Sequence, residues 1–397
     1  MTFNKKKELK NTFDVIIIGA GPAGIAFACG LAKTKLKIAI VDKLSKTILA
    51  NPKIDGREIA LTHHSVQILK KFNVWNLIPN KSISVIKEAR ILDGNSKYFL
   101  NFNHEEINKE NLGYLIPNYI IRKNLYRRLK NFKNITLLDK AECLSINIDK
   151  KFSNIILSNG KKIKSPLVVA ADSRFSKIRS KMGITAFVSD FNKDMIVCRM
   201  KHEKPHKNIA YEFFRYNQTQ ASLPQIKNQS GIITTSNKDS TNNLMKMNKK
   251  KFNKEMQKNF GNFFGKMELI GKRFSYPMVT TYPKKFISNR FAVIGDAAVG
   301  MHPVTAHGFN LGLKGLDILI NEIKISKKNN TDIGLFSVLK NYENKLHLAA
   351  APVYFATNSI VNLYTSNILP AKITRQFILR FVNTVKPAKQ TFLNMLK

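Results

Sequence analysis

Apolar residues fall into two kinds of run along this chain. Phe13 to Gly19 is a short continuous apolar stretch ending in glycine, the pattern of a strand covered on both faces. Ala23 to Lys33 reads as a helix and Lys37 to Asp42 as a second strand, so the chain opens with a βαβ unit. Leu167 to Ala171 and Phe291 to Ile294 are two more short apolar runs closed by small or acidic residues. They predict strands returning to the same sheet from distant parts of the sequence. Between them, residues of about 80–115 and 183–282 contain alternating stretches, such as Ile196 to Met200 and Tyr211 to Tyr216, that predict antiparallel strands. Asn228 to Lys258 is rich in lysine and asparagine and reads as a surface loop followed by a helix. From Phe309 the chain reads as helical to the end, with breaks near Asn330, Pro352, Pro370 and Pro387. The fold class is therefore α/β, with an inserted antiparallel β-sheet and a helical C-terminus.

Composition narrows the picture. The 397 residues are enough for a large core with one or two subdomains, and 44% of them are hydrophobic, so the chain is globular. Cys29, Cys143 and Cys198 lie far apart with no metal spacing, which fits free thiols in a reducing compartment. The formal net charge is +40, but only 13 of the 66 basic residues are arginine. Lysine, asparagine and isoleucine are abundant together, the mixture that AT-rich codons spread through a whole chain. Nucleic-acid readers concentrate arginine and aromatic residues on one face, so no nucleic-acid partner is expected. Attraction to an anionic membrane surface is compatible with the same charge. Lys5, Lys6 and Lys7 precede the apolar run of Phe13 to Leu31, but Asp14, Pro22 and the glycines interrupt it, so neither a signal peptide nor a membrane span is read there.

Gly19-Ala20-Gly21-Pro22-Ala23-Gly24 spells GxGxxG between the first strand and the first helix. The first glycine permits the tight turn, the second lets a pyrophosphate approach the backbone, and the third lets helix and strand pack closely. The helix N-terminus then directs free N–H groups and a positive dipole end at the phosphates. Asp42 closes the next strand, where a carboxylate accepts hydrogen bonds from ribose hydroxyls. This constellation predicts a dinucleotide site without separating FAD from NAD.

Two further motifs carry a resemblance. Arg290-Phe-Ala-Val-Ile-Gly295-Asp296-Ala297-Ala298, followed by His302-Pro303 and Gly308-Phe309-Asn310-Leu311-Gly312-Leu313, resembles the GD motif of the class A flavoprotein monooxygenases. Ala171-Asp172-Ser173-Arg174-Phe175-Ser176-Lys177-Ile178-Arg179 resembles their A-D-G-x-x-S-x-x-R motif, matching at Asp172, Ser176 and Arg179. Arg57 resembles the family arginine that reaches the FAD phosphates, and Arg122 another basic contact. The match runs from about residue 13 to about 320 in the family's order. It departs at Ser173, where the family has glycine, at Ala306-His307-Gly308 in place of G-Q-G, and at Lys314-Gly315 in place of an arginine–aspartate pair.

The resemblance implies a Rossmann-like FAD-binding domain of the glutathione-reductase type. Its parts would be residues 13–80, 116–182 and 283–330, with 81–115 and 183–282 forming a substrate domain and 331–397 a C-terminal helical region. It implies FAD contacts at Gly19, Gly21, Ala23, Gly24, Asp42, Arg57, Arg122, Asp172, Gly295, Asp296, Gly308, Phe309 and Asn310. Asp296 would hold the ribityl chain. The helix after Pro303 would direct its N-terminus at the pyrimidine edge of the isoalloxazine, which places Pro303, Gly308 and His302 at the reacting centre. His63 and His64 read as structural or surface residues. Tyr211, Phe213, Phe214 and Tyr216 read equally as core or as the lining of a substrate pocket.

Within the family, Asp55-Gly-Arg-Glu-Ile-Ala-Leu-Thr-His-His and the segments around Asp172 and Gly295 most resemble the ubiquinone-biosynthesis hydroxylases, of the 5-demethoxyubiquinol 5-hydroxylase type. That implies NAD(P)H as reductant, O2 as oxidant, a flavin C4a-hydroperoxide as oxygen donor and a polyprenylated phenol or hydroquinone as acceptor. No metal is implied. So hydrophobic a substrate implies contact with a membrane or with a ubiquinone-biosynthesis complex. The location would then be cytoplasmic, peripheral on the inner face of the cytoplasmic membrane. The C-terminal stretch from Phe377 to Leu396, with Lys386 and Lys389, reads either as a basic amphipathic membrane surface or as a helix packed on the flavin domain. Trp75 is the only tryptophan, which excludes the W-x-W-x-I-P signature of flavin halogenases. A prenyl reductase and a non-redox carrier of a prenylated partner are the alternative readings on this fold.

Overall fold

In the computed structural model, which describes residues 11–94, 98–215, 218–261, 263–302, 307–365, 374–375 and 389, the chain alternates strands and helices from the start. The strands of the first third are β1 (Val15–Ile18), β2 (Ile38–Val41), β3 (Glu58–Leu61), β4 (Ser84–Ile86), β5 (Glu88–Asp93), β6 (Phe99–Asn103) and β7 (Gly113–Pro117). β8 (Ile135–Leu138), β9 (Cys143–Ile148), β10 (Ser153–Leu157), β11 (Lys162–Ser165) and β12 (Leu167–Ala170) follow. The rest are β13 (Ala186–His202), β14 (Ile209–Arg215), β15 (Gln218–Pro224), β16 (Gln229–Asn237), β17 (Met267–Pro283), β18 (Ile287–Ser288) and β19 (Phe291–Val293). The helices are α1 (Pro22–Leu31), α2 (Lys46–Ala50), α3 (His63–Lys71), α4 (Asn118–Leu129), α5 (Lys177–Lys181), α6 (Lys238–Lys246), α7 (Lys249–Phe260), α8 (His307–Lys328) and α9 (Phe336–Thr365).

The four short apolar runs meet in one sheet of order β18-β19-β12-β1-β2-β8, in which β19, β12, β1, β2 and β8 run parallel. β1, β2 and β12 are buried along their whole length, which is why their sequences are continuously apolar rather than alternating. α1 covers this sheet with an almost uniformly apolar surface. Its Gly30 admits α8 and the end of α3 so closely that a Cβ there would lie 2.3 Å from Ile320 and 2.8 Å from Phe72. Antiparallel β9, β10 and β11 form a separate small sheet, and β3, β7 and β4 another.

The alternating segments build a larger sheet of order β17-β13-β16-β15-β14-β5-β6, antiparallel except where β14 runs alongside β5. One face is covered by α6 and α7, and there Tyr211 and Phe213 pack with Phe252, Met256, Phe260 and Phe264. Phe214 points the other way, because successive strand residues face opposite sides. The aromatic cluster thus divides between core and the opposite face; Tyr216 lies outside the described residues.

Two sequence expectations are corrected. The loop expected from Asn228 is strand β16, since Gly231-Ile-Ile-Thr-Thr235 supplies β-branched residues that pair with β13 on one side and β15 on the other. The helical break expected at Pro352 does not occur: α9 runs straight through it. The proline removes the donor for the Leu348 carbonyl, but Leu348 and Pro352 are both exposed, so water can satisfy that oxygen. Packing on the other side of the helix holds it. Tyr342 donates to the Val293 carbonyl at 2.6 Å, and Tyr354 packs on Tyr282 with ring centroids 4.8 Å apart. The break near Asn330 does occur, between α8 and α9.

Pro370, Pro387 and most of the 377–396 stretch lie outside the described residues. Of its surroundings, Arg375 is fully buried beside Asp93 at 3.4 Å, and Lys389 pairs with Glu106 at 2.8 Å. No helix among the described residues is long and apolar enough to cross a membrane.

Candidate active site

Strand order decides where the site lies. β1 sits between β12 and β2, with β19 next to β12, so the loops after β1, β12 and β19 leave the sheet side by side at its carboxyl edge. In an open parallel sheet that edge is where ligands bind. Gly19 takes φ +111°, and a Cβ on it would lie 2.5 Å from the Ala171 carbonyl oxygen. A Cβ on Gly24 would lie 2.0 Å from the Gly19 oxygen, and one on Gly295, at φ +60°, 2.5 Å from the Ala23 Cβ. These three glycines lock the loops against one another. Gly21 differs: a Cβ there would meet only the Ala171 oxygen, at 3.9 Å. It caps α1 with no side-chain partner and with Pro22 following, so the first-turn N–H groups of α1 have no side-chain cap. A cradle with locked walls and an open floor of backbone donors fits a pyrophosphate.

Asp42 sits at its rim. One carboxylate oxygen accepts from Ala20 N at 2.6 Å and the other from Leu44 N at 2.7 Å. Each oxygen keeps a further lone pair for an outside donor. Asp172 is exposed after β12, and Asp296 follows Gly295 with about half its side chain exposed. Arg174 bridges the two loops, donating to Asp296 at 3.1 Å and to the Val279 carbonyl at 2.7 Å. Arg179 does so from below: buried, it donates to the carbonyls of Ala297 at 2.7 Å and Arg174 at 3.2 Å. Ser176 accepts from Arg179 N at 3.0 Å and so starts α5. Ser173 takes the family's glycine position without a positive φ.

The two basic residues are placed differently. Arg57 pairs with Asp55 at 2.6 Å and lies over the Tyr276 ring at 5.3 Å, while Asn118 at the start of α4 binds both Arg57 O and Asp55. Arg122 is half-buried one turn further along α4. Asn310 is bound to β3, accepting from Thr62 N at 3.0 Å and donating to Ala60 O at 2.8 Å. Its side chain fastens the start of α8, which carries Gly308 and the half-buried Phe309, to the sheet behind. Pro303 lies outside the described residues. His63 contacts the Asn111 carbonyl and the Tyr114 ring, and His64 is exposed.

Beside this edge is a cavity of about 300 Å³, between the free face of the large sheet and α9. His302, Phe191, Lys193, Phe214, Asn358 and Asn362 contribute to its walls. The two asparagines stand four residues apart and so share a helix face. A single lysine among 53 carries no signal in the sequence, and neither do asparagines in so asparagine-rich a chain. His302 is buried edge-on to Phe191, with ring centroids 5.1 Å apart. Burial, with Lys193 and Arg174 nearby, pushes its pKa down to about 3, and burial takes His307 down to about 4. Both values lie below the ordinary histidine value, so the unfolded chain binds protons that the folded chain refuses. Stability should be whole above about pH 6.5 and fall as pH drops from there toward about 4, by up to about 1.4 kcal/mol per pH unit for each histidine. Chemical denaturation at about pH 7 and about pH 5 checks this, and His302→Gln should flatten the loss.

With the geometry in hand, comparisons agree on its class. Residues 12–336 match the FAD binding domain family. The chain is 38% identical over 387 residues to "Ubiquinone hydroxylase UbiM" of Neisseria meningitidis, covering 96% of this chain and 84% of that protein. It is 28% identical over 380 residues to "Ubiquinone hydroxylase UbiL" of Rhodospirillum rubrum, covering 96% and 88%. Among solved structures, p-nitrophenol 4-monooxygenase PnpA from Pseudomonas putida superposes with a TM-score of 0.79 at 13% identity, over 97% of this chain and 98% of that one. The fold is that of an FAD-dependent monooxygenase. The chain belongs to the FAD binding domain family, in the branch of the ubiquinone-biosynthesis hydroxylases.

Proposed function

We propose that this chain hydroxylates the ring of a polyprenylated phenol or hydroquinone in ubiquinone biosynthesis, with 5-demethoxyubiquinol as substrate, NAD(P)H as reductant and O2 as oxidant. The observation that carries this reading is the convergence of three strand-end loops beside a ring-sized cavity walled by His302 and Phe214. Bound FAD would supply the redox chemistry and the activation of O2. The chain's own residues do the rest. Gly21, Ala23 and Gly24 offer N–H groups to the pyrophosphate, Asp42 accepts from the ribose, and Asp296 accepts from the ribityl hydroxyls with Arg174 holding its carboxylate in place. Arg57, Arg122 and Asp172 border the same cofactor, with Gly295 holding its loop close against Ala23. The start of α8, at Gly308, Phe309 and Asn310, presents a positive dipole end to the ring system, and His302 borders the reacting face. His302, held neutral and buried, helps keep water from that face.

The prenyl tail needs an apolar path. Phe214 joins the cavity to a cluster of Leu100, Phe102, Ile360 and Leu363, along which a tail can lie. Discontinuous division of the chain into flavin and substrate domains, as laid out from the sequence, belongs to the same proposal. So does association with a membrane surface or with a biosynthetic complex.

The test is NAD(P)H oxidation and O2 uptake by FAD-loaded protein with a demethoxyubiquinol analogue, the product identified by mass. Gain of one oxygen atom is expected; flavin reduction without oxygen insertion would point to a reductase instead. A narrower prediction concerns Asp296→Ala. Loss of hydrogen bonds to a charged acceptor should weaken FAD binding by about 10–100-fold. Because the side chain is half exposed, stability should change by less than about 1 kcal/mol. Fluorescence titration with FAD and a denaturant melt measure the two, and unchanged affinity would remove Asp296 from the proposed site.

A further inference from the structure

The cavity beside His302 has one cationic wall. Lys193 pairs with Asn237 across the β13–β16 register and Met195 with Thr235, which sets Lys193 on the same sheet face as Thr235, Thr219 and Phe214. Of the described residues that line the cavity, Lys193 is the only one that carries a positive charge, since His302 is held neutral. Its ammonium group forms no ion pair or hydrogen bond among the described residues. The acid lining the same cavity, Asp190, is exposed and accepts from Asn192 N at 2.8 Å. Across the cavity, Asn358 has a buried Oδ1 with no hydrogen-bond partner among the described residues. A half-buried cation facing a buried acceptor without a donor is costly unless a ligand completes both.

We propose that Lys193 binds a ring oxygen of the substrate in its ionised form, while Asn358 accepts from a second ring hydroxyl. This rests on reading the cavity as the aromatic-ring site. The ring O–H gives its proton to solvent as the substrate binds, and no other bond is made or broken in that step. A phenolate donates electron density to its ring more strongly than a phenol, so the carbons ortho and para to it become better acceptors for electrophilic oxygen. Lys193 therefore both orients the ring and activates it. The ligand class is a phenol or hydroquinone with an ionisable hydroxyl, as opposed to a fully alkylated ring.

FAD-loaded wild type, Lys193→Met and Lys193→Arg are titrated at about pH 8.5 with 4-nitrophenol, ionised there, and with 4-nitroaniline, neutral and of nearly the same shape. Lys193→Met is expected to weaken 4-nitrophenolate about 10–100-fold and 4-nitroaniline less than about 3-fold, with Lys193→Arg restoring most of the loss. Equal effects on both ligands, or none, would overturn the role of Lys193 and leave the ring site standing. Failure of the wild type to bind either ligand would overturn both the ring site and this inference. A thermal melt of each variant separates these outcomes from misfolding, which a methionine at this half-exposed position should not cause.

Discussion

Replacing Gly24 with alanine should give a protein that no longer retains FAD and that melts earlier as apoprotein. The added Cβ would lie 2.0 Å from the Gly19 oxygen, and the obstruction is backbone, not a side chain that can swing away. Helix α1 would have to move off the turn it caps. Overpacking of this kind costs about 1–3 kcal/mol. A displacement near 1 Å at a positioned contact costs on the order of 100-fold in function. Gly21→Ala provides the contrast. Its Cβ would meet only the Ala171 oxygen at 3.9 Å, so apoprotein stability should hold while FAD affinity falls, because the methyl occupies the floor of the cradle. Thermal melting of the two apoproteins, paired with FAD fluorescence titration, separates the packing role from the binding role. Unchanged FAD affinity in Gly21→Ala would show that the open floor is not where the pyrophosphate lies.

Arg179→Met should be strongly destabilising although it replaces none of the residues proposed to contact FAD. The buried guanidinium joins the loop after β12 to the loop after β19 through the carbonyls of Arg174 and Ala297. Burial lowers its pKa and the nearby Asp172 raises it, so the pair of loops depends on a charge kept in a poorly solvated place. Methionine fills the volume but leaves two carbonyls without donors. A loss of about 2–4 kcal/mol is expected, read by denaturant unfolding, with weaker FAD binding following from the loosened Asp296 loop. The conservative change Arg179→Lys should fare little better, since one ammonium cannot reproduce a planar fork that reaches two separate oxygens. Wild-type stability in Arg179→Lys would show that charge alone, not bridging geometry, is what the position requires.

The glycine turn, the strand before it and the helix after it were legible because each is governed by local rules: continuous burial, a tight turn and a helix start within a short stretch of chain. The returning strands at Leu167 and Phe291 were legible for the same reason, as short runs buried on both faces. The two corrections mark where local rules stop. Lysine and asparagine around Asn228 suggested a loop, yet Ile232 and Thr234 find partners in β13 on one side and β15 on the other, and pairing outweighs composition. Pro352 suggested a break, yet an exposed proline in a helix anchored by Tyr342 and Tyr354 loses only one hydrogen bond that water replaces. The hold of the Asn310 side chain on Ala60 and Thr62 is a contact that no spacing in the sequence could signal.

Burial, backbone freedom and helix capping act over short distances, so the class of fold, the dinucleotide turn and the three motifs could be read from the order of residues. Other features waited on the assembled fold. Gly19, Asp172 and Asp296 share one sheet edge, Arg174 and Arg179 join the loops there, and Lys193 and Asn358 face one cavity. The physical reason is strand order: which strand lies beside β1 depends on the packing of elements far apart in the chain, and only that adjacency turns separate motifs into a site.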